Sequence, residues 1–233
     1  MATEIVTAAA TIAVRRNQVR LDILNCQGCV RRGPSTSPVP FHGPTPADVM
    51  IVTDHPSDID ERKGRSLTGP AATKFRLAME RVGLDIDRCM VTPAIACHGK
   101  YAPDRLQLQS CSRHMGKMVT IADPAIVLTL GANALAATGC SGALNQFHGK
   151  SFCPPMGPFK GRIVIPTYHP AAAIRKGGET IGIQIEEDLK YLSFLLEYLS
   201  FLLDRNTPSD EYVRYGAIVG KGGKLSHAQR STF

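Results

Sequence analysis

The sequence predicts an α/β fold of three layers, with helices on both faces of a central, mostly parallel four-stranded sheet. Three observations carry this. Three short runs, at residues 48–52, 125–130 and 162–166, are largely apolar and carry the β-branched residues that suit a pleated, buried strand, and residues 88–91 read as a fourth entry into the sheet. Stretches with helical composition separate them, and strands that alternate with helices build parallel sheets covered on both faces. Each run ends in a segment punctuated by Gly, Pro or polar residues, which places loops at the strands' carboxyl ends, where open α/β sheets gather ligands.

Taken in order, residues 31–46 are rich in Pro, Gly and Ser and read as an irregular connection. The first strand, DVMIV at 48–52, runs into a polar loop over residues 53–69. A helix is expected from Pro70 to Val82, where Phe75, Leu77, Ala78, Met79 and Val82 form an apolar face and Gly83 supplies a stop. The chain re-enters the sheet at 88–91. A helix then follows Cys111 as far as Ala122, and Asp123-Pro124 breaks it ahead of the strand AIVLTL. Residues 131–139 read as the next helix, and the strand RIVIP leads directly into Thr167-Tyr168-His169-Pro170. The loops at 53–69, 92–97 and 167–170 are therefore expected to converge. A closing helix carries a seven-residue repeat, YLSFLLE followed by YLSFLLD. Two repeats are too few for a coiled coil, so packing on the sheet is favoured over a dimer seam and a monomer is expected.

Residues 1–20 read as an N-terminal extension, 21–205 as one domain and 206–233 as a basic, disordered tail, in which Lys221, Lys224 and Arg230 could add affinity for phosphates. The 27 Lys and Arg against 20 Asp and Glu give a net charge of +7, which suits a polyanionic partner. No apolar run approaches the roughly 20 residues of a membrane-spanning helix. The opening residues lack the order of an export signal, so a cytoplasmic protein is expected.

Four of the seven cysteines stand out: Cys26 and Cys29 in CQGC, then Cys97 and Cys111. A chain this long can bury a core without disulfide staples, and a reduced compartment disfavours them. Four thiolates suit an iron-sulfur cluster or tetrahedral zinc, although structural zinc sites more often use two short-spaced pairs and only the first pair here is short. Unligated buried thiols are the third reading. Cys89, Cys140 and Cys153 fit as small core residues.

The residues now carry a resemblance. From about Leu21 to Leu192 the chain resembles the family-4 uracil-DNA glycosylases, the iron-sulfur branch of that superfamily. The likeness lies in CQGC, in VPFHGPTPADVMIVTDHPSDIDERKGRSLTGPA, in the pair Cys97 and Cys111, in DPAIVLTLGANAL and in GRIVIPTYHPAAAIR. It implies a uracil-DNA glycosylase-like fold, a 4Fe-4S cluster on Cys26, Cys29, Cys97 and Cys111, DNA as partner, and cleavage of the N-glycosidic bond of an extruded nucleotide. By the same likeness His169 is the histidine that donates to the base carbonyl. Asp54 stands where the family has a catalytic glutamate and retains a carboxylate to orient water or stabilise a cationic sugar.

Departures from the family motifs fall around the base. Gly-Glu-Ala-Pro-Gly becomes Thr53-Asp54-His55-Pro56-Ser57. The asparagine that reads the uracil edge is replaced by Pro93, which has neither a side-chain amide nor a backbone N–H. The stacking phenylalanine becomes Leu67. By the family route the loop after His169 puts Ile174 or Arg175 against the space of the flipped base and Lys176 on phosphate, with a solvated helix start as the alternative, and Arg62 and Arg65 beside the glycine-bearing loop are further candidates for phosphate contact. Three readings follow: a glycosylase with altered base preference, a catalytically impaired DNA-binding accessory of replication, repair or a phage programme, or a metal-stabilised interaction protein.

Overall fold

The computed structural model describes residues 2–140 and 142–204. In chain order these form α1 (Ala2–Leu24), β1 (Val49–Thr53), α2 (Asp58–Lys63), α3 (Pro70–Arg81), β2 (Met90–Pro93), α4 (Arg105–Ala122), β3 (Ile126–Leu130), α5 (Ala132–Ala136), β4 (Ile163–Thr167), α6 (Pro170–Ala173) and α7 (Glu179–Asp204). The four strands lie in the order β2-β1-β3-β4, all parallel, with Thr53 level with Pro93 on one side and with Leu130 on the other. Leu130 is in turn level with Thr167, so all four carboxyl ends finish along one edge.

Both faces of the sheet are covered, and strand alternation divides the side chains between them. Val49 and Ile51 of β1, with Leu128 of β3 and Ile165 of β4, pack under Phe75 and Met79 of α3 and Leu189, Leu192 and Leu195 of α7. Met50, Val52, Val127 and Val164 face the other way, against Val19 and Ile23 of α1 and Met115, Met118 and Val119 of α4. The strands are buried along their whole length, which is why they read as continuous apolar runs. The heptad repeat finds its reason here: its leucines at 192, 195 and 199 face the sheet.

Several segments differ from expectation. The stretch 53–69 is not all loop, because a capping box on Ser57 and Asp60 nucleates α2. The helix expected after Cys111 begins earlier, at Arg105, with Asp104 as its cap, so Cys111 sits within α4. The expected division between residues 20 and 21 falls inside α1, whose Arg16 donates to the Gly43 carbonyl at 2.7 Å and lies over the Phe41 ring. The tail from 206 onward lies outside the described residues. Among the described residues no helix is long and apolar enough to cross a membrane.

Candidate functional site

Strand order puts the crevice between β1 and β3, where the connections leave in opposite directions along the sheet. Asp54 enters it directly from β1. Its Oδ1 accepts a hydrogen bond from the Ala134 backbone N–H at 2.9 Å, in the first turn of α5. Gly131 makes this possible: at φ 103° it adopts a conformation that L side chains avoid, and a Cβ there would stand 2.5 Å from Asp54 Oδ2. The Asp54 loop is also held by the chain beyond β2, since Thr53 O accepts from Ala94 N at 2.7 Å and Asp54 O from Ile95 N at 3.3 Å.

Behind the loop stands Asp60, which was not singled out from sequence. It accepts hydrogen bonds from the backbone N–H and hydroxyl of Ser57 and from the backbone N–H and hydroxyl of Thr68, at 2.7–3.0 Å. Burial pushes its carboxyl up, but these hydrogen bonds outweigh it and hold Asp60 below the ordinary carboxylate value. The Ser57-x-x-Asp60 spacing of a capping box was the available signal.

His169 follows β4 and caps α6. Its Nδ1 accepts from the Ala171 backbone N–H at 3.2 Å, so the neutral ring carries its proton on Nε2. Burial lowers its pKa, while Asp54 and Asp60 act in the opposite sense through their charge; the net shift is downward. The aspartate and histidine loops thus lie within electrostatic reach of each other. His55 also lies in this field: burial lowers its pKa, Arg31 adds to the effect and Asp54 opposes it. Its Nδ1 is buried without a hydrogen-bond partner.

A second unanticipated group supports the histidine loop from α7. Asp188 is 1% exposed and accepts from the Gly149 N–H at 2.7 Å. Burial pushes its carboxyl up to about 6, countered by Thr167 and by His148, whose Nδ1 lies 3.9 Å away. Thr167 Oγ1 and Asp188 Oδ2 are close enough for this influence but do not meet in good hydrogen-bond geometry. The His148 ring packs on Tyr168 at 5.0 Å between centroids, directly beside His169.

The other predicted residues fall into three groups. Pro93 ends β2 alongside Thr53, and Pro56 is buried with its carbonyl 2.9 Å from His98 Nδ1. Leu67 adopts φ 56° and packs into the core layer with α3, 7% exposed. Ile174, Arg175 and Lys176 are exposed just past α6. Arg62 pairs with Asp58 one helical turn away, and Arg65 lies 3.5 Å from Asp87. At the opposite end of the sheet, a cavity of about 580 Å³ lined by Arg15, Asp123, Lys160 and Arg162 takes in none of the predicted residues.

Cys26, Cys29, Cys97 and Cys111 are all unpaired and come into mutual electrostatic reach. Burial pushes the Cys97 thiol up to about 12, and Cys111, Cys29 and Cys26 push it the same way. Cys111 is raised by burial, against a backbone hydrogen bond from Ala96. Cys26 Sγ receives the Gly28 N–H at 3.3 Å and the Arg113 guanidinium at 3.1 Å. Among the described residues no group of three or more His, Cys, Asp or Glu is arranged to hold a metal ion as it stands. The donor set nonetheless fits a thiolate-ligated cluster: four free sulfurs from three chain segments, with N–H donors aimed at two of them. Arg31 ties these segments together, donating to the carbonyls of Cys97 (2.9 Å), Gly99 (3.4 Å) and Tyr101 (3.0 Å) and to Gln107 Oε1 (3.2 Å).

A parallel β2-β1-β3-β4 sheet with an aspartate and a histidine at its carboxyl edge defines an open α/β fold with a crevice at its switch point, and comparison with known families gives it a name. The chain belongs to the uracil DNA glycosylase superfamily, whose family model matches residues 40–199. Within it the chain is a divergent relative of the type-4 branch. It is 26% identical over 183 residues to a type-4 uracil-DNA glycosylase of Sulfurisphaera tokodaii, covering 74% of this chain and 81% of that protein. A type-4 uracil-DNA glycosylase of Saccharolobus solfataricus is 24% identical, with 78% and 87% covered. One from Thermotoga maritima is 22% identical, with 74% and 91% covered.

Proposed function

We propose that this chain hydrolyses the N-glycosidic bond of a uracil-like or modified pyrimidine in DNA, as a monomer, with a base preference changed from that of its type-4 relatives. What supports this reading is that Asp54 and His169 follow strands whose carboxyl ends finish along one edge of the sheet, near enough for the charge of Asp54 to act on His169. An extruded nucleotide held there meets both groups. As the bond from C1′ to the base nitrogen breaks, negative charge grows on the base carbonyl, and the His169 Nε2–H donates to it. The neutral ring suits this role, and burial favours the neutral ring. Asp54 keeps Oδ1 on the Ala134 N–H, leaving Oδ2 to orient a water molecule and offset the cationic sugar. The water oxygen bonds to C1′, its proton passes to the carboxylate, and the departing base anion takes a proton from solvent.

When bound, a 4Fe-4S cluster on Cys26, Cys29, Cys97 and Cys111 supplies a covalent crosslink between the N-terminal loop and the segment that holds the Asp54 loop. Base hydrolysis moves no electrons, so a structural role suffices. Arg175 and Lys176 meet phosphates beside Ile174, which enters the space of the extruded base. Among the described residues Arg62 and Arg65 pair with exposed aspartates, and such surface pairs are weak enough to exchange for phosphate.

Three features support altered base preference. Pro93 offers no donor beside Thr53, Leu67 is turned into the core, and His55 brings a ring whose Nδ1 is buried without a partner. A ring nitrogen so placed gains most from a hydrogen bond to the edge of a base. The test is an abasic-site assay on oligonucleotides carrying uracil, deaminated and 5-substituted pyrimidines. His169→Ala is expected to slow release about 10²- to 10³-fold, and His55→Ala to reorder the panel. No base released by cluster-loaded protein across the panel would overturn the reading. The loss of both the asparagine and the stacking ring favours the second reading, a DNA-binding accessory, for which Asp54→Asn leaves salt-sensitive affinity unchanged and no abasic product forms.

A further inference from the structure

The loop between the third and fourth cysteines carries an exposed aromatic on an anchored backbone. His98 Nδ1 lies 2.9 Å from the Pro56 carbonyl in the aspartate loop. Arg31 binds the carbonyls of Cys97, Gly99 and Tyr101, and a Cβ at Gly99 would stand 2.6 Å from its guanidinium carbon. Pro103 is buried, and Asp104 caps α4 by accepting from the Gln107 N–H at 2.8 Å. With six attachments between residues 97 and 104 the main chain has little freedom, yet Tyr101 is 73% exposed.

A cation faces that ring, and the segment is net positive, with Asp104 the one acidic residue among Lys100, Arg105 and the bound Arg31. Lys100 Nζ stands 5.5 Å from its centroid, and Arg105 is exposed beyond Asp104. The loop also adjoins the aspartate loop, because His98 within it meets the carbonyl of Pro56, two residues past Asp54. An exposed aromatic flanked by cations and held rigid at the mouth of a cleft matches the physics of single-strand binding, in which bases stack on rings and phosphates follow cations. The ring is not packed into the described core, and charge complementarity favours a polyanion with π faces over an apolar partner.

From this juxtaposition we infer that residues 98–104 form a stacking platform for an unstacked base of single-stranded DNA next to the extruded nucleotide, with Tyr101 under the base and Lys100 on the adjoining phosphate. The inference rests on the glycosylase reading only in taking DNA as the occupant. It adds a contact outside the catalytic crevice, on the opposite side of the aspartate loop from β3.

The sequence contains no tryptophan, so Tyr101→Trp creates a single indole reporter in the full-length, cluster-loaded protein. Undamaged single-stranded oligonucleotide is expected to quench its fluorescence. Tyr101→Ala should weaken binding of the same oligonucleotide about ten-fold, as loss of one stacked base implies, while Tyr101→Phe binds as wild type. Lys100→Ala should flatten the salt dependence by about 0.7 in log-log slope, the value of one single-strand phosphate contact. Melting temperatures of all four are expected to match wild type.

Undiminished binding by Tyr101→Ala, or an unquenched indole in a protein that still binds, overturns the platform even if base release is intact. Conversely, weakened binding by Tyr101→Ala in a protein that releases no base upholds the platform and removes the catalytic reading. A wild-type protein that fails to bind single strands at low salt overturns the platform outright.

Discussion

The aspartate loop and the histidine loop reach the same crevice by different construction. Asp54 sits in a long excursion tied down by eight hydrogen bonds from Ser57, Thr68, Ala94, Ile95, Ala134 and His98. His169 sits two residues past its strand, oriented by one local bond to Ala171 N–H and backed by Asp188, His148 and Tyr168. The Asp54 carboxylate is placed by a network of polar contacts among loops. The other group is placed by the end of a strand and the packing of α7. The long loop gains freedom to change its pocket residues, and the motif departures at Thr53, His55 and Leu67 all lie in it. The short loop has no such freedom, and Tyr168-His169-Pro170 matches the family motif.

The largest effect should come from cutting the network on the aspartate side. Asp60→Ala removes four hydrogen bonds to one buried carboxylate and is expected to cost about 4 kcal/mol of stability, at roughly 1 kcal/mol each. Urea unfolding checks this, and a loss under 1 kcal/mol would mean that the loop does not depend on Asp60.

On the histidine side the expected effect is smaller and of opposite sign. The Asp188 pKa is raised by burial to about 6 in the folded chain, from 3.8. The unfolded chain therefore releases this proton first as pH rises, so stability present below pH 4 is lost as pH climbs through 6. Asp188→Asn keeps an acceptor for the Gly149 N–H and cannot ionise. It should match wild type near pH 4 and exceed it by about 3 kcal/mol above pH 6, since one pKa unit is worth about 1.4 kcal/mol. Equal pH profiles of melting temperature for the two proteins would show that the carboxyl is not held in its neutral form.

The smallest effect tests the link between the cysteine lobe and the crevice. His98→Ala removes the contact to the Pro56 carbonyl and should cost about 1 kcal/mol in base release, a factor near five. Thermal stability should be little changed, because His98 is half-exposed. Equal losses of stability and rate would instead assign His98 to the fold alone.

Chain sequence and folded structure divided the information according to range. Periodicity and β-branched runs determined the strands, because a buried parallel strand needs an unbroken apolar run whatever surrounds it. The histidine motif and the cysteine spacing were equally legible, being local patterns. Side-chain partnerships across long separations were not. Asp60 beside Thr68, Arg31 on Tyr101, Asp188 behind Thr167 and Leu67 turned into the core depend on where distant segments are brought by the sheet. A hydrogen bond needs its partner within about 3 Å, and only the tertiary fold sets that distance for residues 66 or 70 positions apart. The same holds for the crevice itself: the sequence by itself determined that Asp54 and His169 each follow a strand, whereas the order β2-β1-β3-β4 and the shared level of the strand ends decided that they face one space.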